Sequence, residues 1–389
     1  MKIKEFANII SGSTPKTGVP EYWDGELLWI TPAEIKDDDI YIGNTSRKIT
    51  EEGAKSASLK EMKRNTVLLT SRAPIGKVAI VDKPMYCNQG FKNLECDESI
   101  VNPKYLYYWL SSRKEYLNDL GRGATFKEIS KGIVGNIDVP IYDLHIQEKI
   151  VKVLDKSKEI IKQRKDQIEV LDNLIYSIFY NMFGHPFLNN KKFEFKSLGY
   201  VSDVNPQKTE INNIDKSEIV SFIPMENIGV NGEIYINDSD KLENVYSNYT
   251  YFKENDVLFA KITPCMENGK GAIARNLING IGFGSTEFHV MRSKDGESTP
   301  EWIYYVTRLD IFRKTAEAKM TGSAGQRRVG TSFLENIKIA VPPIELQNKF
   351  AEIVNKIEKE KELLKQSLEQ LETNFKALQQ KAFNGELFN

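Results

Sequence analysis

Residues 124–183 and 324–383 align without a gap. Ala124-Thr125-Phe126-Lys127 stands over Ala324-Gly325-Gln326-Arg327, Asn136-Ile137 over Asn336-Ile337, Gln147 over Gln347, Leu171 over Leu371 and Phe183 over Phe383, each pair 200 positions apart. One such match means nothing, but a register held over about sixty residues marks an internal repeat, and a repeat must be recognised before any fold is assigned. Upstream the correspondence continues with small insertions, as loops allow. Val67-Leu68-Leu69 answers Val257-Leu258-Phe259, Pro74 answers Pro264, Asn102-Pro103-Lys104-Tyr105 answers Thr299-Pro300-Glu301-Trp302, and Pro15 answers Pro206. Whatever this chain folds into, it is built twice.

Each copy has two textures. The first, residues 1–142 and 185–341, carries short β-branched and aromatic runs such as Val78-Ala79-Ile80-Val81 and Phe288-His289-Val290-Met291, separated by Gly, Pro, Asn and Asp. That pattern predicts strands and turns, with a helix opening after Asn102-Pro103 and after Thr299-Pro300. The second texture, 143–184 and 342–389, is helical. Apolar residues recur with a 4,3 rhythm at 146, 150, 153, 161, 168, 171, 175, 178 and 182, and again at 346, 350, 353, 357, 364, 368, 371, 375, 378 and 382. Ser157, Arg164 and Glu360 are the polar interruptions. Some five heptads without Gly or Pro predict helices of about 40 residues, roughly 60 Å long at ~1.5 Å per residue. Two such helices in a duplicated chain are expected to pair, and pseudo-twofold closure requires them antiparallel. The expected class is α+β: two mixed α/β domains separated by an antiparallel pair of long coiled-coil helices, in a pseudo-twofold tandem repeat.

Composition adds exclusions. With 40% hydrophobic and 28% charged residues, each half can bury its own core. No apolar run approaches the ~20 residues needed to span a bilayer. No signal-peptide pattern follows Met1-Lys2-Ile3-Lys4-Glu5, so the mature chain is expected to begin at or near Met1, in the cytoplasm. Three cysteines and three histidines lack metal-ligand spacing, so no metal site is expected. Net charge is −1, from 53 basic and 54 acidic residues, so any nucleic-acid reading must rest on local charge.

The order of motifs in this duplicated chain resembles the specificity subunits of type I restriction-modification enzymes, over essentially its whole length. The motifs are Gly12-Ser13-Thr14-Pro15, Tyr22-Trp23 and Trp29-Ile30-Thr31-Pro32, then Val341-Pro342-Pro343-Ile344-Glu345-Leu346-Gln347 leading into a long helix, and the two helix endings Ser177–Gly184 and Leu378–Leu387. The first copy departs at Val139-Pro140-Ile141-Tyr142, where the second has a double proline. The resemblance implies two target recognition domains, each reading half of a bipartite, asymmetric sequence in double-stranded DNA. It implies helices that set the half-site spacing and dock two methylation subunits. It also implies restriction subunits as motor-nucleases, with S-adenosylmethionine, ATP and Mg on those partners and no cofactor in this chain.

Local charge then nominates contacts. Residues 60–92 hold Lys60, Lys63, Arg64, Arg72, Lys77, Lys83 and Lys92 against Glu61 and Asp82, and a second cluster holds Arg313, Lys314, Lys319, Arg327 and Arg328 against Glu317. The leading segments are Gly121–Lys127, with Arg122, Thr125 and Lys127, and Gly322–Arg328, with Gln326, Arg327 and Arg328. Small residues let backbone approach phosphate, while Gln and Arg make the bidentate contacts that distinguish adenine and guanine. Arg72, Lys77, Lys261 and Lys270, near the matched prolines Pro74 and Pro264, are read as phosphate contacts, and Lys16 and Lys208 join them beside Pro15 and Pro206.

Enzymatic signatures do not emerge. Asn205-Pro206-Gln207-Lys208 and Gly282-Phe283-Gly284 fall short of a methyltransferase's catalytic and cofactor loops, and no phosphate-binding Gly-x-x-x-x-Gly-Lys-Ser/Thr occurs. The chain is therefore read as a non-catalytic recognition subunit. The alternative from another class is a coiled-coil adaptor that binds only proteins.

Overall fold

The computed structural model describes all residues except 37–38, 124–126, 324 and 389. The chain divides into two compact units, Met1–Asp166 with Lys365–Asn389, and Gln167–Leu364. The helices central to both are α1 (Pro103–Ser111), α2 (Leu144–Phe183), α3 (Pro300–Arg308) and α4 (Ile344–Phe383). Each unit thus takes half of α2 and half of α4.

In the first unit β1 (Ala7–Ser11), β2 (Val67–Leu69), β3 (Val78–Val81) and β4 (Lys92–Cys96) form an antiparallel sheet in the order β1-β4-β2-β3, with Tyr41–Ile42 added parallel at the β3 edge. In the second unit β5 (Ser202–Val204), β6 (Val257–Ala260), β7 (Gly271–Ile273) and β8 (Phe288–Ser293) repeat that order as β5-β8-β6-β7. A smaller sheet accompanies each. Trp23–Ile30 pairs antiparallel with Arg47–Ile49 and parallel with Tyr86–Cys87; Ile219–Ile223 pairs antiparallel with Asp238–Lys241 and parallel with Ile281–Gly284.

The central strands are apolar at every position because both faces are covered. Val67, Leu69, Val78 and Ile80 pack with α1 in one cluster, while Leu68, Ala79 and Val81 point the other way against Met62, Met85 and Phe91. Successive side chains alternate faces, so one short run serves two cores. Val257 and Phe259 against Leu258 do the same in the second unit. The sequence signals for α1 and α3 act as read: Asn102 Oδ1 accepts from the amides of Lys104 (2.8 Å) and Tyr105 (3.3 Å), and Thr299 Oγ1 from that of Trp302 (3.3 Å), each ahead of a first-turn proline.

Two fully buried glutamines fasten the long helices to these caps. Gln147 accepts from the Asn102 amide (2.8 Å) and donates to the carbonyls of Ile100 (2.9 Å) and Tyr142 (2.7 Å). Gln347 accepts from the Thr299 amide (3.0 Å) and donates to the carbonyls of Glu297 (3.0 Å) and Pro342 (2.9 Å). A buried amide with all three groups paired is a positional lock, since a shift of the helix would strand each of them.

The helix stripe is wider than the heptad reading. In the first unit Ile150, Val151 and Leu154 of α2 join Ala382 and Phe383 of α4 in the cluster that contains α1, with the Phe383 ring 5.4 Å from Tyr105. In the second unit Phe179 and Phe183 of α2 meet Phe350 of α4 at 5.6 and 5.1 Å. The helix ends are therefore core elements of the globular units, and a two-position seam describes only the stretches between. There, polar pairs bridge the two helices, Lys165 with Glu372 (3.3 Å) in the first unit and Lys361 with Asp172 (2.5 Å) in the second, where Glu358 of the same helix also holds Lys361 (2.9 Å). Glu360, expected in the stripe, is exposed, and its neighbour Lys361 is buried instead. Spacing 357, 361, 364 keeps the 4,3 rhythm equally well, so periodicity could not choose between them. Among the described residues no helix is long and apolar enough to cross a membrane.

Candidate nucleic-acid interface

The same cradle recurs in both units: a turn leaving the central strand is bolted to a short hairpin that precedes the long helix. In the first unit β2 runs through Thr70 into the turn Ser71–Lys77, which contains a cis Ala73–Pro74 bond. Thr70 shapes the turn, its hydroxyl donating to the Pro74 carbonyl (2.7 Å) and accepting from the Lys77 amide (2.9 Å). Gly76 adopts φ +89, a conformation that side chains oppose. Across from it Arg122 and Glu128 exchange backbone hydrogen bonds (3.1 and 3.0 Å); residues 124–126 between them lie outside the described residues. The Ile129 amide then donates to the Ser71 carbonyl (3.0 Å). Gly121 packs against the same turn, and a Cβ there would come within 2.7 Å of Ile75 Cδ1.

In the second unit β6 runs through Lys261 into a turn containing a cis Thr263–Pro264 bond. Thr321 and Arg328 exchange backbone bonds (3.0 and 2.8 Å), Val329 N donates to the Lys261 carbonyl (2.9 Å), and Thr263 N to the Arg327 carbonyl (3.0 Å). Glu128 and Arg328 are equivalent positions with opposite charge, and each has recruited its complement. Glu128 faces Lys92 (3.0 Å) and Arg72 (3.7 Å). Arg328 meets Glu287 through Nε and Nη2 (2.7 Å at its shortest). The Arg328 guanidinium holds the Glu287 carboxyl below the usual range.

A family model described as the type I restriction modification DNA specificity domain matches residues 1–170 and again 190–373. The chain is 30% identical over 380 residues to the MjaIX specificity subunit of Methanocaldococcus jannaschii, covering 91% of this chain and 85% of that one. The chain belongs to the type I restriction-modification specificity subunits. Its fold is also that of a chain solved in work on complex assembly and conformational transition of a type I restriction-modification system, at a TM-score of 0.60 and 16% identity, covering 100% of this chain and 97% of that one. The specificity subunit of M. genitalium matches at 0.51 and 15%, covering 98% and 95%.

Within this specificity subunit the residues nominated from sequence scatter. The first cradle gathers Arg72, Arg122 and Lys127; Thr125 lies outside the described residues. Lys77 flanks it, its Nζ donating to the Ile35 carbonyl (2.6 Å). The second cradle gathers Lys261, Gln326, Arg327 and Arg328. There Arg327 lies 3.6 Å from both Glu267 and Glu317. Lys261 is largely covered, and burial holds its pKa below the usual lysine range, with Arg328 adding to the effect. Lys270 sits at the base of this loop, with its Nζ on the Met225 carbonyl (3.1 Å). Lys208 is turned to the Tyr246 carbonyl (2.6 Å) and ring, and Lys16 lies beside the smaller sheet, its carbonyl accepting from Trp23 Nε1 (3.2 Å).

Two members of the local charge clusters leave the surface. Lys92 is buried under Glu128. Arg313 is buried, donating to the carbonyls of Met266 (2.7 Å), Thr307 (2.8 Å) and Gly269 (3.2 Å), and burial pushes its pKa down to about 10. The two cradles therefore differ electrically: the first keeps an excess of base around Glu128, whereas the second balances Lys261, Arg327 and Arg328 against Glu267, Glu287 and Glu317. Glu128, Glu267 and Glu287 escaped the sequence reading because an acid across a turn leaves no spacing signature. His289, buried beside the second cradle between Asn205 (3.1 Å) and the Val329 carbonyl (2.8 Å), escaped it too.

Proposed function

We propose that this chain selects the DNA sequence on which a type I restriction-modification complex acts. Each unit reads one half of a bipartite target, with Arg122, Thr125 and Lys127 serving one half and Gln326, Arg327 and Arg328 the other. Lys16, Arg72, Lys77, Lys208, Lys261 and Lys270 contact phosphate. The carrying observation is the recurrence of one cradle, strand to proline turn to basic hairpin, at equivalent places in two units whose side chains differ. Shared backbone with divergent side chains is what a reader of two unlike half-sites requires.

The long helices form an antiparallel coiled-coil pair with pseudo-twofold symmetry, set the half-site spacing and dock two methylation subunits. Restriction subunits join that assembly. S-adenosylmethionine, ATP and Mg act on those partners, and this chain, a cytoplasmic component, catalyses nothing. Selection from a random duplex library by the complex with methylation subunits tests the reading. A bipartite consensus with a fixed gap is expected, and replacing Gln326 and Arg327 by Ala should relax one half only. No consensus would leave a protein-binding adaptor as the better description, and relaxation of both halves or neither would sink the mapping.

A further inference from the structure

The motifs Gly12-Ser13-Thr14-Pro15 and Trp29-Ile30-Thr31-Pro32 meet at one short segment, Asn88-Gln89-Gly90. Ser13 N donates to the Cys87 carbonyl (3.1 Å) and Asn88 N to the Ile30 carbonyl (3.1 Å). Asn88 Oδ1 accepts from Gly90 N (2.9 Å), and the Gly90 carbonyl accepts from Ser71 N (2.7 Å), the residue before Arg72 in the first cradle. The packing is close enough to need both glycines: a Cβ at Gly12 would lie 2.0 Å from the Asn88 carbonyl oxygen, and one at Gly90 2.8 Å from Pro32 Cγ. From this fixed backbone the Gln89 side chain stands in solvent, and the Thr14 hydroxyl donates to its Oε1. An exposed glutamine ordinarily samples several rotamers. This one is held by Thr14 and stands one residue before Gly90, whose carbonyl is bonded to Ser71 of the first cradle, and its Nε2 group and one lone pair of Oε1 are left for a ligand.

Building on the DNA-reading function proposed above, we infer that Gln89 is a specificity-determining residue that reads an adenine in the half-site of the first unit, with Thr14 as its positioning residue. An amide held this way accepts from adenine N6 through Oε1 and donates to N7 through Nε2, the bidentate pairing that singles out adenine in the major groove. Because Thr14 has already ordered the side chain, less rotamer freedom is lost on contact. The equivalent residue of the second unit is Thr286, since the Glu287 carbonyl accepts from Lys261 N (2.9 Å) as Gly90 does from Ser71 N. Threonine cannot make the bidentate contact, so the reading belongs to one half-site.

The full chain in complex with methylation subunits would be carried through duplex-library selection as wild type, Gln89→Ala and Thr14→Val. Wild type is expected to select adenine at one position of one half-site. Gln89→Ala should lower that preference about tenfold with the other positions intact, and Thr14→Val should lower it partially at the same position. Unchanged selection by Gln89→Ala overturns the inference. So does relaxation in both halves, relaxation at a position where wild type takes another base, or weaker binding with the selected sequence intact. A wild-type complex that selects no bipartite sequence would instead overturn the function on which the inference rests. Matching thermal midpoints for the three proteins would exclude misfolding.

Discussion

At the residue scale the decisive chemistry is a carboxylate placed against a hairpin. Glu128 neutralises a buried ammonium, Lys92, that would otherwise be costly to keep from water. Glu128→Gln is expected to destabilise the first unit by about 1–3 kcal/mol, the range for an ion pair one of whose members stays partly exposed, read as a lower urea midpoint. Glu128→Gln should also loosen recognition in that half-site. Lys92→Met in the same protein should restore much of the stability, and no recovery would argue against the pairing. His289 gives a pH dependence. Burial, with Lys261 adding to it, holds its pKa below the usual 6.5. The folded state therefore binds the proton less readily than the unfolded chain, so stability is full above about 6.5 and falls as pH drops below that value. Urea midpoints measured from pH 8 to pH 5 should decline, and His289→Asn should flatten the decline. None of these roles was legible in the sequence, where a lone His and single acids carry no pattern.

At the element scale much more was legible. Strand runs, helix caps and the long helices all follow from local rules: apolar runs closed by turns, Asn or Thr before Pro, and 4,3 periodicity. The matched glutamines Gln147 and Gln347 were visible as a repeat but not as locks, because their partners are main-chain groups brought close only by folding. Gln147→Leu would leave the Asn102 amide and the Ile100 and Tyr142 carbonyls unpaired and should cost about 3–5 kcal/mol. The loss should show as a shifted denaturant midpoint, and Gln347→Leu should match it in the second unit. A neutral result for either would mean that water replaces the amide. Lys361 for Glu360 shows the limit of periodicity, since a 4,3 pattern admits either neighbour and the carboxylates of Asp172 and Glu358 decided.

At the scale of the whole molecule, duplication is the governing fact. If the helices set the half-site spacing, inserting one heptad after Asp166 and another after Gln366 preserves the apolar stripe and lengthens the pair by about 10 Å at ~1.5 Å per residue. The selected gap should then widen by about three base pairs, at ~3.4 Å each, with both half-site sequences unchanged. A gap that stays the same would show that something other than the helices measures it. By itself the sequence determined the duplication, the alternation of strand-rich and helical segments and the family, because these rest on order and period along the chain. Only the tertiary structure decided which charges face solvent. Whether Lys92 and Arg313 are buried, whether Arg328 meets Glu287, and whether Thr14 meets Gln89 depend on residues far apart in sequence meeting across a sheet, and no local rule encodes such meetings.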